Sequence, residues 1–296
     1  MSRSRPALPF VAIAIFVALM TGCSSSGDSD EATDTTIGGT SPSEAGDGTS
    51  ASPDTSPIAD GWWEPTRGLS WQWQLQGDID TTIDADVYDL DITGPDDQIL
   101  ATLKGRDIKL ICYFSVGSWE DWRPDAADFP DDVLGNENGW PGERWLDISN
   151  LDALRPIYQE RIDTCAERGY DAIEPDNTDG YSHDTGFDIT EDDSIALLNM
   201  LADMAHRKGL GIALKNSPVL VERLADTVDF AVVEQCVFYE ECHYWDPLLD
   251  AGKAVFLAEY QVEPEKFCPQ TEPVGISAIY KDQMLDAAVR YCPGQP

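Results

Sequence analysis

The chain has 296 residues and a formal net charge of −36, with hydrophobic residues making up 42%, enough for a single large domain with its own core. Eight acidic residues between Ser24 and Asp60, set against two arginines ahead of Phe10, leave about −30 on the remainder. A field of that sign argues against nucleic acid as a partner and attracts a cationic ligand, although a plain solubilising surface would carry the same excess.

Residues 1–22 read as a lipoprotein signal peptide. Ser2-Arg3-Ser4-Arg5 is a short basic region, Phe10 to Met20 is almost wholly apolar, and Thr21-Gly22 supplies small residues before Cys23, the layout of a bacterial export signal. "LMTGC" resembles a lipobox, with Met20 where Leu is commoner, and makes Cys23 the lipidated first residue of the mature protein. An ordinary signal peptide cleaved nearby is the alternative. The apolar run of roughly 11 residues is shorter than the ~20 that span a bilayer. Residues 23–60 follow as a tether: from Ser24 to Asp60 there is no aromatic residue, Lys or Arg, so the segment cannot bury enough apolar surface to offset its ordering entropy and is expected to be disordered. Aromatic residues begin at Trp62-Trp63, and the folded domain is expected over 61–296. The expected location is the extracytoplasmic face of the cell membrane, reached by export and held by the lipid anchor.

After Trp62, short apolar segments alternate with helical ones. The spacing predicts strands at Trp71–Leu75, Val87–Asp91, Lys109–Ser115, Asp171–Glu174, Leu210–Lys215, Phe230–Glu234, Val255–Glu259 and Ile276–Tyr280. Helices are expected over Leu151–Arg168 and Asp192–Lys208, the latter with an apolar stripe at Ile195, Leu198, Leu201, Ala202 and Ala205. A last helix is expected over Lys281–Tyr291. "ERGYD" and "HRKGLG" place glycine where helices end and strands begin. Eight β–α alternations over roughly 235 residues predict an α/β fold, a single-domain (β/α)8 TIM barrel. The link between the first two strands is too short for a full helix, and an open doubly wound sheet is the second possibility.

Of seven cysteines, six remain once Cys23 is set aside, an even number in an exported chain, which reads as disulfides. Cys236 and Cys242 are close enough to close a small loop. Cys112 is assigned to Cys165 and Cys268 to Cys292, although spacing alone does not fix connectivity. The thiols are dispersed and only three histidines are present, so no metal site is expected. The oxygen-rich "EPDNTDG" offers calcium ligands in Asp176, Asn177 and Asp179, but lacks the bidentate Glu of an EF-hand.

Barrel enzymes place their catalytic groups at the C-terminal ends of the strands. Here those ends carry Asp91, Glu174 with Asp176, Lys215-Asn216, Glu234-Gln235 and Glu259-Tyr260. The third strand leads into a long loop, Val116 to Trp145, with Trp119, Glu120, Trp122, Arg123 and Trp140; loops of that length are functional or disordered, and four tryptophans argue against disorder. No GxSxG elbow and no Gly-rich phosphate loop is present. Facing carboxylates between aromatic walls suit glycoside hydrolysis, in which one acid protonates the leaving oxygen while the other attacks the anomeric carbon or activates water.

"ICYFSVGSWEDWRPDAADFP", "GWPGERWLDI", "GYDAIEPDNTDGY", "IALKN", "FAVVEQCVFYEEC" and "AVFLAEY" resemble, in order and at compatible spacings, the motifs of glycoside hydrolase family 114, whose members are endo-α-1,4-polygalactosaminidases on a TIM barrel. The resemblance, from about Trp71 to Tyr260, implies hydrolysis of α-1,4-linked galactosamine polymers, including partly deacetylated galactosaminogalactan. It implies Asp176 and Glu234 as the catalytic pair, which analogy with other α-glycosidase barrels makes nucleophile and general acid/base. Asp91, Asp147, Glu174 and Lys215 are then expected to line the pocket, with Lys215 lowering the pKa of a neighbouring carboxylate. Asn177, Asn216, Gln235, Tyr239, Glu259 and Tyr260 are expected to bind the sugar. Glu120 and Arg123 are open to a structural salt bridge instead. No cofactor is implied, and the expected partner is a cationic amino-sugar polysaccharide met by a monomer. Two alternatives differ in class: a non-catalytic lipoprotein that binds the polymer, and a barrel glycosidase for another glycan.

Overall fold

A computed structural model describes residues 61–294; the expected signal peptide, Cys23 and the expected tether lie outside the described residues. Eight parallel strands run in sheet order β1 (Trp71–Gln74), β2 (Val87–Asp91), β3 (Lys109–Ser115), β7 (Ala172–Asp176), β8 (Gly211–Lys215), β9 (Phe230–Glu234), β10 (Val255–Glu259) and β11 (Ser277–Tyr280). Between them in chain order lie α1 (Asp97–Lys104), the short strands β4 (Ser118–Glu120), β5 (Leu134–Glu137) and β6 (Glu143–Leu146), α2 (Leu151–Glu167), α3 (Glu191–Arg207), α4 (Val221–Leu224), α5 (Asp246–Asp250) and α6 (Pro264–Thr271). The sheet curls into a TIM barrel. At its seam β1 meets β11 through side chains: Trp71 Nε1 donates to the Ser277 carbonyl at 2.9 Å.

Because successive strand residues face opposite sides, each barrel strand carries two hydrophobic sets. The inward set, with Trp71, Trp73, Val87, Ile111, Ala172, Ala213, Phe230, Val232, Phe256 and Ala258, fills the barrel with alternating large and small side chains. The outward set, including Leu90, Cys112, Ile173, Leu214, Val233 and Leu257, packs under the helices. Helix α3 begins at a capping box in which Thr190 and Asp193 satisfy each other's backbone N–H. It gives way to β8 at Gly209, whose φ of +74° a side chain would strain. Cys112 on β3 is bonded to Cys165 on α2, Cys268 on α6 to Cys292, and Cys236 to Cys242 across six residues after β9.

Two segments depart from expectation. Lys281–Tyr291 is not a helix but a series of turns ending in β12 (Arg290–Tyr291), antiparallel to β11. A helix would consume its carbonyls internally, whereas here Leu285 O accepts from Leu75 N and Gln76 N, and Ala287 O from Gln72 Nε2, which fastens the segment across the seam. The long loop after β3 is a three-stranded antiparallel sheet, β4-β6-β5, standing over the C-terminal end of the barrel.

Candidate active site

The inward parity decides which polar side chains reach the barrel mouth. Asp89 and Asp91 on β2, Tyr113 on β3, Glu174 and Asp176 on β7, Lys215 on β8 and Glu234 on β9 share the parity of the inward apolar set, as does Tyr260 just past β10. At the centre is Lys215, 3% exposed. Its Nζ stands 2.9 Å from Glu174 Oε1, 3.1 Å from Asp176 Oδ1 and 3.6 Å from Glu234 Oε2, and 4.6 Å from the centre of the Trp73 ring. Burial works to lower the lysine, but the carboxylates of Asp176, Glu174 and Glu234 outweigh it and raise it well above its ordinary value.

Each of the two outer carboxylates is oriented by further donors. Asp176 accepts from Tyr113 OH at 2.9 Å and from the Asn177 backbone N–H at 2.8 Å. Glu234 accepts from Asn216 Nδ2 at 2.9 Å and Tyr260 OH at 2.5 Å, while the Glu234 N–H donates to Asn216 Oδ1. Burial, with Asp176 beside Tyr113 and Glu234 beside Tyr260, pushes both phenols well above their usual range, so they remain donors. The residues that turn the chain away after β7, β8 and β9 have left-handed backbones: Asn177 at φ +62°, Asn216 at +45°, Ser217 at +57° and Gln235 at +58°. Such strain gathers at functional sites, where surrounding contacts over-determine the conformation.

Glu234 opens into a cleft of about 480 Å³, lined also by Trp140 from the β5–β6 turn, Asp179, Tyr181, Asn216, Gln235, Tyr239, Glu241 and Tyr260. Trp140 and Tyr239 are 59% and 53% exposed, flat apolar faces beside the acids. Gln235 is buried, and its Nε2 has no hydrogen-bond partner among the described residues. Among the described residues, no Lys or Arg lines the cleft.

Four expected pocket residues stand elsewhere. Asp91 is held by Arg123, which also grips Glu120 at 2.6 Å, so the Glu120–Arg123 pair is a buried structural salt bridge. Asp147 caps its own turn through Ser149. Asn177 donates to Ser115 and Ser118, rooting the small sheet on β7. Glu259 has the outward parity, with Val255 and Leu257; it accepts from the Val237 and Phe238 N–H groups beneath the β9 loop, and burial raises it to about 7 against the pull of those two donors. Lys215 does oppose the rise of the Glu174 carboxyl, but burial prevails and Glu174 lies above its ordinary value. Asp179 pairs with His183 at 3.2 Å. Among the described residues no three His, Cys, Asp or Glu side chains are grouped to hold a metal ion.

Sequence reasoning missed Asp89, Tyr113 and Trp73. The inward parity was the signal that could have found them: in "VYDLD" Asp89 alternates with Val87, and in "KLICYFS" Tyr113 alternates with Ile111.

The family model described as glycoside-hydrolase family GH114 matches residues 52–296. Ega3 of Aspergillus fumigatus, whose crystal structure is a complex with galactosamine, is 36% identical, with a TM-score of 0.74 over 79% of this chain and 99% of that one. The glycoside hydrolase domain of PelA from Pseudomonas aeruginosa is 15% identical, with a TM-score of 0.59 over 76% of this chain and 99% of that domain, a likeness of fold. No curated protein sequence matches significantly.

Proposed function

The chain belongs to glycoside-hydrolase family GH114 and is a glycoside hydrolase; from that premise we propose that it is exported, lipid-anchored through Cys23, and cleaves α-1,4-linked galactosamine polymers with Asp176 and Glu234 as the reacting carboxylates. One observation carries the proposal: a single buried ammonium, Lys215 Nζ at the end of β8, stands within 3.1 Å of Asp176 and 3.6 Å of Glu234, which end the flanking strands β7 and β9. The two oxygens it contacts can therefore be no farther apart than the sum of those distances. That supports the ~5–5.5 Å carboxyl separation of a retaining glycosidase over most of the ~6.5–9.5 Å range of an inverting one.

In this reading Asp176, the less exposed carboxylate, attacks the anomeric carbon while the glycosidic bond breaks. Glu234, which opens into the cleft, gives its proton to the departing oxygen. Water then yields a proton to the Glu234 carboxylate and attacks the same carbon, releasing Asp176. An acidic cleft without lining cations suits a polymer of ammonium-bearing sugars, the sugar with which Ega3 was solved. Trp140 and Tyr239 supply faces on which pyranose rings can rest.

The test is incubation of the purified protein with α-1,4-galactosamine polymer, alongside Asp176→Asn and Glu234→Gln. Oligosaccharides should form with wild type and drop by at least ~10⁴-fold in both variants. Equal turnover in all three removes the assignment, and binding of the polymer without cleavage by wild type would indicate a non-catalytic binder. In the same cells Cys23→Ser should move the protein from membrane to medium; continued membrane association would count against lipidation.

A further inference from the structure

We propose that Asp89 is a positioning residue for this centre, a carboxylic acid whose proton is donated to Glu174 and thereby fixes the Lys215 ammonium between Asp176 and Glu234. This rests on the functional reading above. Asp89 is the middle residue of β2, on the inward parity, with no exposed surface. The ladder pairs it with Ile111, and Ile111 with Ala172, so it lies one inward layer below Glu174. Neither of its oxygens has an N–H or O–H donor among the described residues. The inward carboxyl one layer above it is that of Glu174, itself without exposed surface, and the negative charge of Glu174 acts directly on Asp89.

Two ionised carboxylates on successive inward layers of a dry barrel repel and leave their oxygens unsatisfied. One proton between them removes both costs. The surrounding charges decide which group keeps it. Facing the pair are Tyr113 from β3, Asp176 from β7, Lys215 from β8 and Tyr260 after β10, with Glu234 of β9 on the far side of Lys215. Lys215 is the cation of this set, and it touches Glu174 at 2.9 Å. Glu174 is therefore the ionised member, and Asp89 retains the proton; burial first, and Glu174 next, push Asp89 well above the usual carboxyl range. Without a donor below it, Glu174 would take up a proton itself and lose its ionic hold on Lys215, and the ammonium would be free to shift toward one of the two reacting carboxylates.

The discriminating pair is Asp89→Asn, which keeps an N–H donor for Glu174, and Asp89→Ala, which does not. Asp89→Ala is expected to lower kcat by roughly 10- to 100-fold with KM nearly constant and to displace the pH–rate profile, whereas Asp89→Asn stays within ~3-fold of wild type on both counts. A substrate-independent readout accompanies it. The infrared difference spectrum of wild type minus Asp89→Asn at pH 8, above the titration of Glu259, should show the carbonyl stretch of one neutral carboxylic acid. Unchanged kcat and pH profile in Asp89→Ala, an equal loss in Asp89→Asn, or absence of the band would each overturn the proposal. If wild type leaves the galactosamine polymer intact, the substrate reading fails while the infrared band still decides the state of Asp89; it does so too if Asp89→Ala does not fold.

Discussion

Lys215 and Glu259 both end barrel strands, yet one serves the centre and the other serves a loop, and the difference is a single step in parity. Lys215 follows Ala213 inward, while Glu259 follows Leu257 outward. Asp176 and Glu234 were legible as strand-end carboxylates, and the resemblance to the family motifs singled them out as a pair; the structure adds that both share the inward face. Asp91 ends a strand on the inward face too, but Arg123 arrives from the loop after β3 to claim it, a long-range pairing that no local pattern announces. Glu259 leads to a stability prediction. Its carboxyl titrates near 7 in the folded protein against an ordinary 4.5, so the folded state binds the proton more tightly than the unfolded one. The resulting stabilisation is fully present below pH 4.5 and is lost as pH rises through about 7. Glu259→Gln keeps the acceptor for Val237 N–H and removes the ionisation. It should therefore raise stability by on the order of 3 kcal/mol at pH 8, and by almost nothing at pH 4.5. Denaturant unfolding at the two pH values measures this; an equal effect at both would refute it.

At the scale of elements, the eight barrel strands could be read from runs of apolar residues, since both faces of a parallel sheet are buried. What could not be read was how the connections are used. Lys281–Tyr291 carries helix-compatible residues, but the open seam beside β1 presents N–H groups of its own, and pairing with them outcompetes a terminal helix. The small sheet after β3 was recognisable as ordered from its tryptophans, but its strands are three or four residues each and too short to show a period. It is docked at Gly117, where a Cβ atom would lie 1.6 Å from the Asn177 carbonyl oxygen. Gly117→Ala must push Asn177, and with it the end of β7 that bears Asp176. The expected cost is about 1–3 kcal/mol of stability, with kcat down by roughly 10- to 100-fold from misplacement of the carboxylate. Melting temperature and kcat read together test it. A variant as active and stable as wild type would mean that the sheet can lift without disturbing β7.

At the scale of the whole molecule, the acidic excess and the reacting centre respond differently to salt. Residues 61–296 carry about −30, including Asp179, Glu234 and Glu241 in a cleft with no lining cation among the described residues. This field acts on an approaching polymer across water, over distances comparable to the screening length, which shrinks from ~10 Å at 0.1 M to ~3 Å at 1 M salt. The contacts of Lys215 with Glu174, Asp176 and Glu234 span 3.6 Å or less, and the ammonium is buried, so ions do not enter between them. Added salt should therefore weaken encounter and binding while sparing the chemical step. For a fully deacetylated galactosamine polymer KM is expected to rise by about 10-fold between 0.05 and 0.5 M sodium chloride with kcat steady. N-acetylation of the polymer removes its charge and should abolish the salt dependence of whatever binding remains. Steady-state kinetics across the salt series, with binding to the acetylated polymer as the control, separates the two contributions. A KM independent of salt would reduce the acidic surface to a role in solubility, and a fall in kcat with constant KM would place the screened interaction inside the centre.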